Sequence, residues 1–275
     1  MQGKFEGIII LSDLDGTLLG SEHKIPERNR EKIEYFKQNG GYFTFNTGRN
    51  YLNIYKSIPD AHDVVNAPVI SCNGACLYDM QKKAPVLEHF VDPDKVKTVV
   101  RMQKEKYPDV RAEMSSSSGV LAEAYDSYVA MDFPNKNVTI APIDQMRCDN
   151  WYKTVFRGEP CDLVPLRDEV MEIFGSEFEY CNSSPYYFEI CPAGCSKGAM
   201  IPDLKRYCGI EGKEMTLYAV GDYENDIPML RAADVSACPA NAMDEVKQIC
   251  DIQLCSCNEG AIADLIEYIE ANLGG

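Results

Sequence analysis

Residues 8–18, Ile-Ile-Ile-Leu-Ser-Asp-Leu-Asp-Gly-Thr-Leu, constrain the fold of this chain more than any other stretch. Four branched apolar residues in a row are typical of a central strand in a parallel sheet, which helices cover on both faces. Open α/β sheets bind their ligands at the carboxyl ends of such strands. Because Asp13 and Asp15 follow this run directly, we expect the chemistry of the protein to take place there.

The two carboxylates are separated by one residue, so they share a face if the extended geometry continues beyond the strand. Like charges that lie close together repel each other, and they are tolerated mainly when a cation or a shared proton lies between them. An Asp-x-Asp sequence can also cap a helix or form a turn. The pattern therefore predicts a cation site at Asp13 and Asp15, with a purely structural turn as the alternative.

Length and charge limit the partners of the chain. Its 275 residues are enough for two structural units, and its net charge of −16 disfavours broad contacts with nucleic acid or a membrane surface. No stretch reaches the about 20 apolar residues of a membrane span, and the first residues lack the pattern of a secretory signal. We expect a cytoplasmic protein with no obligate protein partner, acting on a small anion held by local cations or a metal.

The chain has twelve cysteines and only three histidines. Without a secretory signal, thiols scattered through apolar segments are typical of reduced core residues. Three pairs lie close together in the sequence, at 72/76, 191/195 and 255/257. None of them belongs to a matched set of two Cys-x-x-Cys motifs, the spacing typical of zinc sites, so we expect no zinc site.

A βαβ unit is predicted after the opening strand. Pro26 precedes an amphipathic segment over residues 27–38, and Gly40-Gly41 follows it, which predicts a helix. A second strand over residues 42–45 leads into Asn-Thr-Gly-Arg at 46–49 and a helix over 50–57. A hydroxyl and backbone amides beside a helix N-terminus attract anions, although a simple Thr-Gly turn explains the same residues.

Two later strands also end in polar residues. A short third strand is predicted over residues 69–72, followed by the turn dipeptide Asn73-Gly74 and a hairpin that leaves the sheet. A strand over residues 216–220 is followed by Gly-Asp-Tyr-Glu-Asn-Asp at 221–226. These residues offer the oxygen ligands that hard cations prefer. A parallel sheet would bring both clusters to the same edge as Asp13.

The middle of the chain, from about residue 85 to residue 187, lacks polar clusters at the ends of its predicted elements. We expect helices and strands at 92–106, 161–174, 152–156, 178–182 and 186–190. The segment 111–130 fits no single element, and the serine-rich run at 115–119 is typical of a mobile loop. The pattern predicts a separate α+β unit inserted into the first.

Lys197 lies in Ser-Lys-Gly at 196–198, which we expect to open a helical segment. A cation gains nothing from the dipole at a helix N-terminus, so a lysine there is more useful if it holds an anion. An exposed surface lysine is the ordinary alternative. Further elements predicted at 227–233, 235–237, 252–255 and 261–272 complete the α/β pattern.

Five strings follow one another along the chain: Asp-Leu-Asp-Gly-Thr-Leu at 13–18, Asn-Thr-Gly-Arg at 46–49, Cys-Asn-Gly-Ala at 72–75, Cys-Ser-Lys-Gly-Ala-Met at 195–200 and Gly-Asp-Tyr-Glu-Asn-Asp-Ile-Pro-Met-Leu at 221–230. In these strings the chain resembles the haloacid dehalogenase (HAD) superfamily of phosphohydrolases, specifically its Cof-type subgroup with a type IIB cap. The resemblance implies an α/β fold with a Rossmann-like parallel-sheet core at 1–84 and 189–275. It also implies an inserted α+β cap for substrate specificity at 85–188.

The resemblance assigns a role to each carboxylate. Asp13 is implied to be the nucleophile, which forms an aspartyl phosphate, and Asp15 the general acid and base. The metal implied is Mg²⁺, held by the Asp13 carboxylate, the backbone carbonyl of Asp15 and Asp222. Asp226 is expected in or beside that shell, and whether Asp226 or Asn225 binds the metal directly stays open.

Other site residues follow from the same resemblance. Thr47, Gly48 and Lys197 are implied to bind the phosphoryl oxygens, with support from Asn225. Asn73 is expected to contact the substrate or to fix a hinge loop. Asn46 departs from the small residue that members usually carry before Thr-Gly-Arg, although it leaves Thr47 in place. The cap is expected to close over the site and to exclude water.

The predicted function is that of a Mg²⁺-dependent phosphatase acting on a small phosphorylated metabolite. A sugar phosphate is favoured, and pyridoxal phosphate and a flavin mononucleotide are alternatives within that class. A phosphohexomutase of the same fold is a second hypothesis; it would need cationic cap residues to retain a bisphosphate, and the predicted cap has arginines at 101, 111, 147, 157 and 167. A non-catalytic sensor of phosphorylated metabolites is a third hypothesis.

Overall fold

The chain divides into two units. The computed structural model describes residues 3–124, 138–147, 150–210, 212 and 214–273. The first unit comprises Met1–Leu87 and Ser196–Gly275, and the second comprises Glu88–Cys195. The boundaries expected from sequence differ from these by three and seven residues (84 against 87, and 188 against 195). The roles of core and cap stay predictions.

Strands and helices alternate along most of the chain. The described strands are β1 (Ile8–Ser12), β2 (Tyr42–Phe45), β3 (Val69–Ser71), β4 (Cys76–Asp79), β5 (Ala84–Glu88), β6 (Arg111–Ser116), β7 (Gly119–Ala122), β8 (Val138–Ile140), β9 (Trp151–Arg157), β10 (Phe178–Ser184), β11 (Tyr187–Pro192), β12 (Thr216–Val220), β13 (Val235–Pro239) and β14 (Ile252–Leu254). The described α-helices are α1 (Glu27–Gln38), α2 (Tyr51–Ser57), α3 (Ala61–Val64), α4 (Pro93–Lys106), α5 (Pro160–Phe174), α6 (Ile201–Tyr207), α7 (Ile227–Ala232), α8 (Asp244–Ile249) and α9 (Ala261–Asn272).

β1 lies at the centre of the sheet in the first unit. The strand order is β14-β13-β12-β1-β2, and β1 pairs in parallel with β12 on one side and with β2 on the other. All five residues of β1 are buried, as expected for a strand that is covered on both faces. The parallel-sheet α/β fold predicted from the apolar run is confirmed.

Helices α1 and α9 have the limits predicted from sequence and lie against each other. Arg28 of α1 donates to the Glu267 carboxylate of α9 at 2.7 Å. The buried Asn29 Oδ1 accepts from the backbone amide of Ala263, at 2.9 Å. That amide lies in the first turn of α9, where the helix supplies no partner of its own. A side chain of α1 therefore satisfies one of the amides in the first turn of α9.

The third strand does not extend the parallel sheet as predicted. β3 pairs in antiparallel fashion with β4, and a separate three-stranded sheet has the order β3-β4-β5. A single bridge, between Asn46 and Ile70, links β3 to the end of β2. The short loop Cys72–Gly74 turns the chain back at once, so β4 takes up the hydrogen bonds of β3.

The second unit is an α+β structure. Its sheet has the order β10-β11-β9-β6-β7-β8. An apolar cluster contains α4 residues such as Val96 and Val100, α5 residues such as Leu166, and the sheet residues Phe156 and Phe188. Helices α4 and α5 were both predicted, and Asp92 caps α4 by accepting hydrogen bonds from its first amides.

The serine-rich run is wrongly predicted as a loop. Ser115 and Ser116 are buried residues of β6, and only residues 117 and 118 form the turn into β7. The Ser116 hydroxyl donates to the carbonyl of Gly119 at 2.9 Å, which closes the hairpin. Pairing with β9 overrides the weak strand preference of serine. Residues 125–130, the last part of the ambiguous segment, lie outside the described residues.

Among the helices that the structure describes, none combines the length and the apolar character needed to cross a lipid bilayer.

Candidate active site

The carboxyl ends of β1 and β12 bring two polar clusters together. Ser12 lies opposite Val220 in the parallel pair, and the amide of Asp13 donates to the Val220 carbonyl at 2.9 Å. On the other side of β1, the amide of Asn46 donates to the Ser12 carbonyl at 2.9 Å. The residues that follow β1, β2 and β12 therefore share one edge of the sheet.

Lys197 joins two carboxylates at this edge. Its ammonium lies 2.6 Å from Oδ1 of Asp13 and 2.5 Å from Oδ1 of Asp226. All three side chains are buried, and that of Lys197 is wholly inaccessible. The expected helix start is wrong in detail, because α6 begins at Ile201 and Lys197 lies in the turn before it. The ammonium is fixed by carboxylates and not by a helix end.

The pKa values of Lys197 and Asp13 are both raised, although burial acts on the two groups in opposite directions. Burial alone would lower the pKa of Lys197, but the charges of Asp13 and Asp226 outweigh it and raise that pKa above its usual range. Burial raises the pKa of Asp13 well above its ordinary value; Lys197 opposes this rise and the neighbouring carboxylates add to it. The site thus favours any second cation that could share the negative charge.

Asp226 also holds its own loop in place. While Oδ1 receives Lys197, Oδ2 accepts from the backbone amides of Asp222 and Tyr223, at 2.9 and 3.1 Å. Gly221 packs so closely that a Cβ there would lie 2.4 Å from the Asp226 side chain. Both carboxylate oxygens of Asp226 are therefore engaged within the protein, which favours a role in fixing the loop and Lys197.

Asp222 is held from the opposite side by the loop after β1. The hydroxyl of the buried Thr17 donates to Oδ1 of Asp222 at 2.7 Å. Gly16 has φ +78°, and a Cβ there would lie 2.4 Å from Oδ2 of Asp222. Burial raises the pKa of Asp222 to about 7; the charge of Asp226 adds to this rise and the Thr17 hydrogen bond opposes it.

The donor set of this cluster fits a hard divalent cation. One carboxylate oxygen from each of Asp13, Asp222 and Asp226 lies within 4.8 Å of the other two. Three carboxylates and the Lys197 ammonium together leave two negative charges, which one divalent cation neutralises. Oxygen-only donors with a small separation are the ligands that Mg²⁺ takes. The residues predicted to bind the metal through side chains thus lie close enough to do so.

Asp15 points to a different partner. Its carboxylate accepts from Nε of Arg49 at 2.7 Å and from Nη2 at 2.5 Å. Its side chain is 47% exposed, whereas that of Asp13 is 9% exposed. The two carboxylates of the Asp-x-Asp sequence therefore occupy different environments, one buried against Lys197 and the other at the surface and held by an arginine.

Thr47 is buried between two loops. Its amide donates to the Ile70 carbonyl, and its Oγ1 accepts from the amide of Arg49 at 3.1 Å. Because that oxygen acts as the acceptor, the hydroxyl proton can still be donated to an anion. Gly48 is half-buried beside it.

Two asparagines connect the remaining loops. Asn225 Nδ2 donates to Asn73 Oδ1 at 3.3 Å, and the amide of Asn73 donates to the Thr47 carbonyl. Asn46, at the position that departs from the expected small residue, donates to the Lys197 carbonyl at 2.8 Å. Its buried Oδ1 accepts no hydrogen bond from the described residues.

Sequence reasoning gave no role to Thr17 or Arg49. Thr17 belongs to the motif at 13–18 and Arg49 to the motif at 46–49, so the sequence indicates that both lie near polar residues. Their partners were not visible, because Thr17 is 205 residues from Asp222 and Arg49 is 34 residues from Asp15.

The chain is similar to a family of hydrolases and to named phosphatases in sequence, and to solved structures in fold. The family model described as haloacid dehalogenase-like hydrolase matches residues 10–266. The putative phosphatase YxeH of Bacillus subtilis is 25% identical over 271 residues, which cover 95% of this chain and 97% of that protein. The 5-amino-6-(5-phospho-D-ribitylamino)uracil phosphatase YitU of B. subtilis is 24% identical over 265 residues, covering 94% and 96%. The solved structure of the HAD subclass IIB sugar phosphatase BT4131 superposes with a TM-score of 0.79 at 20% identity, covering 95% and 98%.

Proposed function

The chain belongs to the haloacid dehalogenase-like hydrolases, and on this premise we propose that it is a Mg²⁺-dependent phosphatase acting on a small phosphorylated metabolite. The observation that carries the proposal is the shared contact of Lys197 with Asp13 and Asp226 beside Asp222. The site then combines three groups: the buried carboxylate of Asp13 as nucleophile, the Lys197 ammonium for the phosphoryl oxygens, and carboxylate oxygens that can bind a cation. Phosphoryl transfer depends on such positioning and charge neutralisation.

Asp13 is the nucleophile of the proposed reaction. Its carboxylate oxygen forms a bond to phosphorus while the bond from phosphorus to the leaving oxygen breaks, which gives an aspartyl phosphate. Lys197, already 2.6 Å from this carboxylate, stabilises the charge on the phosphoryl oxygens. Thr47 and the half-buried Gly48 supply hydroxyl and backbone donors to the same group, and Asn225 supports them from the neighbouring loop.

Asp15 moves the protons. It donates a proton to the leaving alcohol in the first step and removes one from water in the second, when water hydrolyses the aspartyl phosphate. Its partial exposure suits a group that must meet both an alcohol and water. Arg49 fixes the direction in which the carboxylate points.

The proposed metal is Mg²⁺, held by the carboxylates of Asp13 and Asp222 and the backbone carbonyl of Asp15, with Asp226 in or beside that shell. When bound, Mg²⁺ supplies positive charge to the phosphoryl oxygens. Thr17 holds Asp222 in the orientation that the ion requires, as hydrogen bonds to metal-binding carboxylates generally do.

We infer that the substrate is a sugar phosphate or a similar phosphomonoester. The named activities of YitU, on a phosphorylated ribityl compound, and of the sugar phosphatase BT4131 support this class. The unit Glu88–Cys195 is proposed to select the leaving group, as the inserted part of the chain. Asn73 is proposed to fix the loop next to Thr47.

A phosphate-release screen over small phosphomonoesters, with Mg²⁺ present and ranked by kcat/KM, tests the proposal. Asp13→Asn is the matched control, since it removes the nucleophile at constant size. We expect release from at least one metabolite by the native enzyme and none by the variant. An unchanged rate in D13N would refute the mechanism. Isomerisation of a hexose phosphate without phosphate release would favour a mutase, and binding without turnover would favour a sensor.

A further inference from the structure

One face of the hairpin formed by β10 and β11 carries sulfur and carboxylate side chains together. The strands pair with Cys181 opposite Glu189 and with Glu179 opposite Cys191. Alternate residues of a strand share a face, so Cys181, Glu189 and Cys191 project from the same side of the sheet. One ligand atom from each of these three lies within 4.8 Å of the other two. Glu189 and Cys191 are buried.

Although the cysteine spacing along the sequence predicts no zinc site, we propose that Cys181, Glu189 and Cys191 bind a divalent cation of intermediate softness, of the Zn²⁺ class. Thiolate sulfur and carboxylate oxygen are both ligands that Zn²⁺ takes in proteins. Three protein ligands leave a fourth position for a water molecule, which is typical of sites that exchange their ligand. The site lies within the second unit and uses none of the residues of the candidate active site.

The charges of this cluster balance when the ion is bound. Lys153 donates to Oε2 of Glu189, and both side chains are buried. Two thiolates and one carboxylate, set against one ammonium, leave two negative charges among these four side chains. A divalent cation neutralises them, and buried charges are tolerated when they are paired. Each bound ion displaces two protons, since the two S–H bonds break as the sulfur–metal bonds form.

The neighbours of Glu189 orient it for this role. Ser183 donates to Oε1 while Lys153 donates to Oε2. An ionised carboxylate offers about four lone pairs, so these two hydrogen bonds do not exhaust its acceptor capacity. Hydrogen bonds of this kind commonly fix carboxylates that bind metal ions.

The strand register disfavours a disulfide between the same thiols. Cys181 and Cys191 are diagonal neighbours, because each lies opposite the glutamate adjacent to the other on the same face. Diagonal residues have Cα atoms about 7–8 Å apart, whereas disulfides usually span about 4.4–6.8 Å between Cα atoms. The two sulfur atoms lie within 4.8 Å of each other, so both can reach one ion without movement of the strands.

Titration of the metal-depleted full-length protein with Co²⁺ tests the site, because cobalt–thiolate bonds absorb in the near ultraviolet and tetrahedral Co²⁺ absorbs in the visible range. We expect the bands to saturate at one equivalent, to disappear on addition of Zn²⁺, and to be lost in the variant C181S/C191S. The matched control is C195S, which removes a neighbouring buried thiol outside the group of three and should keep the bands.

Two results would overturn the proposal: no cobalt–thiolate band in the native protein, or an unchanged band in C181S/C191S. Circular dichroism checks that the double variant folds. If it does not fold, the single variant C181A replaces it, because Cys181 is only half-buried and its loss disturbs the packing less; C181A should also lose the band. Loss of two reactive thiols on exposure to air, reversed by a reductant, would show a disulfide instead and would also overturn it. The variant D222N should keep the bands, which separates this result from the proposed phosphatase activity.

Discussion

Arg49 donates two hydrogen bonds to the carboxylate of Asp15, from Nε to Oδ2 at 2.7 Å and from Nη2 to Oδ1 at 2.5 Å. Such two-point contacts fix the direction of a carboxylate as well as its position. A third donor, Nη1, bonds the hydroxyl of Ser57 at 2.6 Å, so the guanidinium is itself held by α2. The orientation of the proposed acid and base is therefore set by an arginine from the next loop.

The variant R49A should lower kcat by about 100-fold, because a catalytic group displaced by about 1 Å commonly loses that much. The variant R49K should recover only part of the loss, since an ammonium cannot make the two-point contact. Steady-state kinetics on the best substrate of the screen measures both. Equal kcat values in R49K and the native enzyme would show that charge alone, and not orientation, is what Arg49 supplies.

The limits of many elements could be predicted because local signals mark them. Pro26 and the glycines after residue 39 bracket α1, and apolar runs define β1 and β12. The hairpin of Ser115 and Ser116 could not be predicted, because its first strand, β6, pairs with β9, a partner about forty residues further along the chain. Local preference and long-range pairing disagree there, and pairing prevails.

In the candidate site, too, one part could be predicted from sequence and another could not. That polar residues after β1, β2 and β12 would meet follows from the rule that ligands bind at the carboxyl ends of parallel strands. Which side chain contacts which does not follow from it. The contact of Lys197 with both Asp13 and Asp226, and the proximity of Cys181 to Cys191 across a hairpin, depend on distances that sequence spacing does not contain.

Removal of divalent cations should abolish phosphatase turnover, and Mg²⁺ should restore it. The variant T17V, which keeps the shape of Thr17 but removes its hydrogen bond to Asp222, should raise the half-saturating Mg²⁺ concentration at least about 10-fold. Its kcat at saturating Mg²⁺ should change little. Turnover that survives EDTA would remove the metal from the mechanism, and an unchanged Mg²⁺ requirement in T17V would remove Thr17 from the support of Asp222.

The Mg²⁺ requirement should also depend on pH. Burial raises the pKa of Asp222 to about 7 in the absence of a metal, so protons compete with the ion near neutrality. The half-saturating Mg²⁺ concentration should therefore fall as the pH rises from about 6 to about 8 and then level off. Activity titrations with Mg²⁺ at several pH values measure this. A requirement that stays constant over this range would contradict the assignment of Asp222 as a ligand.

The variant K197M should lower the free energy of unfolding by about 3–5 kcal/mol when no divalent cation is present, because it leaves buried carboxylates without their cation. The loss should shrink as the pH falls, since protonated carboxyls need no cation. Urea unfolding in EDTA measures it. The control is K82M, an exposed lysine 3.5 Å from Asp79, for which we expect a much smaller change, because solvent screens exposed ion pairs. Equal effects of the two substitutions would show that Lys197 has no special structural role.

The carboxylate of Asp251, which has no part in the proposed reaction, provides a test of the fold. Oδ2 of Asp251 accepts from the backbone amide of Ser236 at 2.8 Å and from its hydroxyl at 2.7 Å. These two bonds hold the pKa of Asp251 below its ordinary value of 3.8. Because the folded state lowers this pKa, the stabilisation is complete above the unfolded value and is lost as the pH falls through the lower, folded value.

The variant D251N should therefore lower the free energy of unfolding at neutral pH by about 1 kcal/mol. This loss is smaller than the loss of a buried hydrogen bond to a charged group, because Asp251 is exposed and water screens its charge. The difference from the native protein should disappear once the pH lies below the folded pKa of Asp251, where the native carboxyl is also neutral. Urea unfolding of both proteins from neutral to strongly acidic pH measures it. A difference that persists at the acidic end would mean that the size and shape of the side chain, and not its charge, hold β13 and β14 together at this point.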